Sequence, residues 1–170
     1  MSSPTAGSTG RAPAFFTYPG YGETLLQEMR YNQAVRIEDR IETAGQGGWN
    51  PTTGEIPASL TDEIDQAFAN VDLALRAAGG QGWSQVYRIR LYALDEAMVP
   101  EGLGRMVENI DKWCGGGGGV APSSGGSGGS AGEGDAKQGE RRRPILTGVG
   151  VSMLGQPGMR IEIEVAAYAP

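Results

Sequence analysis

Histidine is absent from this chain of 170 residues, and cysteine occurs once, at Cys114. The first absence removes Ser–His and Cys–His nucleophile pairs and every His-ligated metal site. The second excludes an intrachain disulfide and fits a reducing compartment. Neither a metal nor a cofactor is expected, and the expected location is cytoplasmic. No apolar run is long enough to span a membrane, so no membrane partner is expected. Basic residues are outnumbered, with 14 Lys and Arg against 20 Asp and Glu and a formal charge of −6. Phosphate recognition draws on clustered Lys and Arg, so no nucleic-acid partner is expected. The basic cluster Arg141-Arg142-Arg143 adjoins Glu133, Asp135 and Glu140. Residues 1–22 contain no acidic residue and a single Arg11, which is too little arginine for a transit peptide. They read as a disordered, loop-like N-terminal tail.

What is present fits one domain over residues 23–170, with length enough to bury a core. Residues 115–139 interrupt it as a Gly/Ser-rich insertion, a flexible linker by composition. A flexible loop of that kind adds little closure cost, about 0.6 kcal/mol per doubling of length. A short irregular or helical lead-in over 25–30 precedes two strands, 31–37 and 40–43, which flank the turn pair Glu38-Asp39. Residues 45–57 read as loop, punctuated by Asn50-Pro51 and Thr53-Gly54. Ile64, Phe68, Val71, Leu75 and Ala78 recur at helical spacing, with Ser59 or Thr61 to cap the start and Gly79-Gly80 to stop it. A strand follows over 85–93, then a helix over 101–113 with Leu103, Met106, Ile110 and Trp113 on one face. Beyond the insertion a strand resumes at Pro144. The last strand sets Met159, Ile161, Ile163 and Val165 against Arg160, Glu162 and Glu164. This order predicts an α+β fold, a mixed sheet with two helices packed on one face.

Several segments together resemble the RidA/YjgF family of reactive-intermediate (imine) deaminases. Tyr31-Asn32-Gln33-Ala34-Val35 is similar to the family's early Tyr-Ser-Gln-Ala-Val segment, and Ala44-Gly45-Gln46 to its Ser-Gly-Gln turn. Asn50 to Pro57, Asn70-Val71 and Arg160-Ile161-Glu162-Ile163-Glu164 match its first loop, first helix and closing strand. The resemblance implies a chorismate mutase-like fold and a homotrimer with a central barrel and intersubunit clefts for a small-molecule metabolite. It places Tyr31 and Glu162 in the catalytic role and Ala44, Gly45, Leu146, Thr147 and Arg143 around the substrate. Two departures stand out. Leu146 occupies the position of the arginine that grips the substrate carboxylate, and Ala44 that of the turn serine.

The residues themselves leave alternatives open. Glu162 can act as a general base or be the outward charge of an amphipathic strand. Tyr31 can line a cleft or pack at a strand edge, and Gly45 can admit a ligand to the backbone or only supply a turn. Arg143 can fold back to replace the missing arginine or remain a solvated linker end paired with Glu140. Cys114 has no neighbouring base in the sequence and reads as unreactive. The resulting expectation is a divergent, hydrolase-type enzyme acting on a small imine, enamine or related carbonyl intermediate. Deamination of 2-imino acids is disfavoured, because leucine cannot supply the paired hydrogen bonds of a guanidinium. The alternative is a non-catalytic trimeric module binding a small molecule or a partner in the same cleft.

Overall fold

The computed structural model describes residues 11–115 and 143–170; the expected insertion falls largely outside the described residues, as do residues 1–10. Seven strands and three α-helices occur among them. In chain order they are β1 (Ala14–Phe16), α1 (Tyr21–Met29), β2 (Ala34–Ile37), β3 (Arg40–Thr43), β4 (Gln46–Gly47), α2 (Leu60–Ala77), β5 (Val86–Ala93), α3 (Pro100–Cys114), β6 (Ile145–Gly150) and β7 (Ile161–Tyr168). The strands make one mixed sheet in the order β1-β2-β3-β7-β5-β6, with β4 also paired to β7. Only the β5–β6 pairing is parallel.

Local chemistry accounts for most of these elements. β2 and β3 join through Glu38-Asp39, with Ile37 opposite Arg40 and Glu38 at φ 53°, as a two-residue hairpin turn demands. The Ser59 side chain accepts from the Asp62 N–H and caps α2. Gly79 ends that helix at φ 77°, where a side chain would be strained. Ile64, Phe68, Val71 and Leu75 are buried against Ile41, Ile89, Ile161 and Ile163 of the sheet. Glu63 in the first turn of α2 does more than complement the helix dipole. It is wholly buried, and Arg160 donates to it from Nε and from the backbone N–H, both at 2.6 Å. A buried carboxylate needs such partners, and this pair fastens the start of α2 to the entry of β7.

The structure departs from the expected pattern in four places. Ala14–Phe16 pairs with β2 and Tyr21 opens α1, so the segment 11–22 is not all tail. There are three α-helices rather than two; α1 packs Leu25 onto a separate small cluster with Trp49 and Met159. The inward face of α3 is rotated: Leu103 is 43% exposed, whereas Gly102, Met106 and Asn109 are buried. Asp65 of α2 sets that rotation, accepting from Arg105 Nε and Asn109 Nδ2, both at 2.7 Å. Finally, β6 is exposed along its whole length, because it is the edge strand and no described element covers either of its faces.

Candidate functional site

β7 sorts its side chains by alternation. Ile161, Ile163 and Val165 face the helices, so Glu162 and Glu164 face the open side of the sheet. Directly opposite on β5 stand Tyr92, in register with Glu162, and Arg90, in register with Glu164. Arg90 donates to Glu164 at 2.5 Å. Glu162 has no equivalent. Its side chain is half-buried and forms no ion pair or hydrogen bond among the described residues. Burial raises its pKa above the ordinary carboxylate range, and the neighbouring charge of Glu164 adds to the rise.

Glu162 is shaped from the other side by Gly45. A β-carbon at Gly45 would sit 2.5 Å from Cδ of Glu162 and closer still to Oε1. The absent side chain is therefore what gives the carboxylate its place. Gly45 is held by the pairing of Gln46-Gly47 with β7. Asn70 anchors the loop beyond, donating to the carbonyls of Gly47 and Trp49 at 2.8 Å each. Tyr31 lies near enough to sense Glu162. Burial raises the Tyr31 pKa, the adjacent Gln33 amide opposes that rise, and the Glu162 charge reinforces it. Tyr31 is thus held as a neutral phenol, a hydrogen-bond donor beside an acceptor.

Tyr31, Ala44, Gly45 and Glu162 therefore gather at one end of the open face. Leu146, Thr147 and Arg143 do not join them. Leu146 is in register with Ile89, so it projects on the helix side and is 50% exposed. Thr147 shares the face of Arg90 and Glu164 but stands two strands from β7, about 10 Å at ordinary strand spacing. Arg143 pairs with Asp111 of α3, on the helix side, and does not fold back toward Glu162. Within one chain the expected site is split in two.

Behind the first group lies a polar line that the sequence did not disclose: Trp49, Tyr18, Gln46 and Gln33, joined by successive hydrogen bonds. Successive partners along it are 13 to 31 residues apart, so no local pattern links them. A cavity of about 640 Å³ lies elsewhere, with Glu55, Glu96, Gln156 and Arg160 in its lining and none of the expected site residues. Arg160 is already engaged there by Glu63 and by the carbonyls of Pro57 and Ala58. Cys114 is buried, with its thiol pKa pushed up to about 11 chiefly by burial. Among the described residues no cluster of three or more side chains could hold a metal ion, and no helix is long and apolar enough to cross a membrane.

The family model described as endoribonuclease L-PSP matches residues 22–113, just over half of the chain. Over 65 residues the chain is 32% identical to a RutC family protein of Aquifex aeolicus, covering 38% of this chain and 51% of that protein. Over 50 residues it is 38% identical to the 2-iminobutanoate/2-iminopropanoate deaminase of Mus musculus, covering 29% of this chain and 37% of the deaminase. The chain thus spans about half or less of the length of these relatives. In fold it resembles the crystal structure of a YjgF/YER057c/UK114 family member from Mycobacterium tuberculosis, with a TM-score of 0.63 at 20% identity. That match covers 93% of this chain and all of the other.

Proposed function

The chain belongs to the RidA/YjgF family, the family of the endoribonuclease L-PSP model, and from that premise we propose that it hydrolyses a small imine, enamine or related carbonyl intermediate at the Tyr31–Gly45–Glu162 site. The observation that carries this reading is Glu162, a half-buried carboxylate with a raised pKa, no partner among the described residues, and a glycine making room for it. A partly desolvated carboxylate without a partner is a stronger base than an exposed one and suits proton transfer. Glu162 takes a proton from a water as the water oxygen bonds to the C=N carbon, giving a carbinolamine. Passing that proton to nitrogen completes the neutral carbinolamine. Glu162 then carries the hydroxyl proton to nitrogen as well, the C–N bond breaks as C=O forms, and ammonia and a carbonyl compound leave. Tyr31, kept neutral by burial, donates a hydrogen bond to the substrate.

The split between Glu162 and Leu146 supports a homotrimer in which β6 of a neighbouring copy completes the site. Its exposed Ile145, Leu146 and Val149 suit burial against another chain. In this reading Leu146 forms an apolar wall where a carboxylate clamp would stand, so the substrate is not a 2-imino acid. Replacing that clamp removes a charge-assisted contact of roughly 1.5–3 kcal/mol. A ribonuclease reading draws no support from an acidic chain without histidine. The second reading, a binding module without turnover, is favoured by one specific feature: Ala44 offers no hydroxyl where the family's turn has serine.

The test generates a 2-imino acid in situ with an amino-acid oxidase and traps it with semicarbazide. Little suppression of the semicarbazone is expected for the 2-imino acid, and strong suppression for the imine of an uncharged analogue. Equal inertness toward both, from a sample shown by light scattering to be a trimer, would favour the binding module. A monomer would remove the intersubunit site from both readings.

A further inference from the structure

The polar line behind the site has a direction, and donor chemistry fixes it at two independent points. The Trp49 indole can only donate, and its Nε1 donates to the Tyr18 hydroxyl at 3.0 Å. Tyr18 then gives its own proton to Gln46 Oε1, also at 3.0 Å. Gln46 is pinned a second time, because its Nε2 faces the carbonyl oxygens of Ala44 and Gly45 at 3.2 and 3.3 Å, which can only accept. The same nitrogen donates to Gln33 Oε1 at 2.8 Å. An amide that turns its oxygen to Gln46 must turn its NH₂ away. Gln33 is wholly buried, and its Nε2 has no partner among the described residues. A buried donor left unpaired costs about 1–3 kcal/mol, so its orientation calls for an acceptor. The side chain beside it is Tyr31.

Resting on the site reading above, we infer that Gln33 is a positioning residue that donates to the Tyr31 oxygen, so that Tyr31 points its proton at the ligand while Glu162 offers an acceptor, and that the site takes an uncharged amide-type group in preference to a carboxylate. An amide supplies both complements at adjacent atoms, a carbonyl oxygen for Tyr31 and an N–H for Glu162. A carboxylate supplies only acceptors and a negative charge beside Glu162 and Glu164. Arg90 is held by Glu164 and Arg143 by Asp111, so neither of these two cations is free to offset that charge. An amine would satisfy Glu162 and leave Tyr31 without an acceptor. Applied to the imine reading, the group next to the reacting carbon is a carboxamide.

The experiment uses the full chain labelled with ¹³C at tyrosine Cζ and glutamate Cδ, the signals assigned with Tyr31→Phe and Glu162→Gln. Propionamide and propanoate, alike in size, are titrated separately. Propionamide is expected to shift both signals and to bind about tenfold or more tightly than propanoate, a difference of about 1.4 kcal/mol. In Gln33→Met, close in volume but without the amide, the Tyr31 titration midpoint should rise and the preference should shrink. Should that variant fail to fold, Tyr31→Phe carries the test, and near parity of the two probes is expected. Propanoate binding as well as propionamide would overturn the inference and leave the site standing. An unchanged Tyr31 midpoint in folded Gln33→Met would overturn the positioning role. If neither probe moves either signal, the site itself is misplaced and the inference falls with it.

Discussion

Gly45→Ala separates the shape of the site from the stability of the fold. The added methyl would stand 2.5 Å from Cδ of Glu162, against about 3.5–4.0 Å for an ordinary carbon contact. The carboxylate must therefore withdraw by about 1–1.5 Å. It can do so cheaply, because the three atoms nearest the new methyl all belong to the outer part of one half-exposed side chain. Gly45 is not among the residues with positive φ, so alanine strains no backbone there. It removes unfolded-state entropy worth about 0.4–1 kcal/mol in favour of folding. The net change in stability should stay within about 1 kcal/mol, whereas a displacement of about 1 Å at a reacting group can cost roughly a hundredfold in rate. Urea unfolding followed by tryptophan fluorescence reads the first quantity. The glutamate Cδ titration reads the second, since a carboxylate pushed toward water loses part of its burial and its pKa should fall toward the ordinary range. Turnover of an uncharged imine should drop at least tenfold, and Gly45→Ala should add little to Glu162→Gln. A variant with the parent's Glu162 titration and full turnover would refute the reasoning, as would one that unfolds.

Asn70→Leu should destabilise by about 2–5 kcal/mol, seen as a lower urea midpoint at unchanged slope, because two buried carbonyls lose their donor. Arg143→Ala should change stability by no more than about 1 kcal/mol and leave turnover intact, since its ion pair with Asp111 is at the surface; a tenfold loss in the imine assay would put Arg143 in the site. Burial raises the Glu162 pKa in the folded state, so its contribution to stability is whole below the unfolded midpoint and lost as pH rises through the folded one. Glu162→Gln should therefore gain on the parent in urea midpoint as pH climbs from the acidic side to neutral, and a gap that narrows instead would contradict the raised pKa.

Much of the fold could be read from the chain because its cues are local. The α2 stripe, its Ser59 cap and Gly79 stop, the Glu38-Asp39 turn and the alternation of β7 each depend on neighbours a few residues away. What escaped depends on partners far along the sequence. Glu63 stands in the first turn of α2, where any acidic residue suits the helix dipole, yet Arg160, 97 residues on, is what pairs it in the core. The tilt of α3 is set by Asp65 through Arg105 and Asn109, and apolar spacing alone put Leu103 on the wrong side. Of the proposed site, Tyr31, Gly45 and Glu162 are assigned by the family resemblance, not by spacing, and the structure adds that Gly45 lies against Glu162. The line from Trp49 to Gln33 gave no signal, because single polar residues in a sequence do not announce whom they face. The division of Leu146 from Glu162 was hidden for a related reason, since only strand register assigns each to its side of the sheet.

The place of β7 bears on how this chain is made. It follows every other element of the sheet in the chain, yet it lies at the centre and bridges β3 to β5. Until the ribosome has released it, the hairpin of β2 and β3 and the unit of β5 and β6 have no strand between them. Synthesis at about 5–20 residues per second leaves the apolar side of α2 waiting for Ile161, Ile163 and Val165 for seconds after it has emerged. The sheet cannot close before β7 has been translated, and for that interval the apolar side of α2 lacks its central partner.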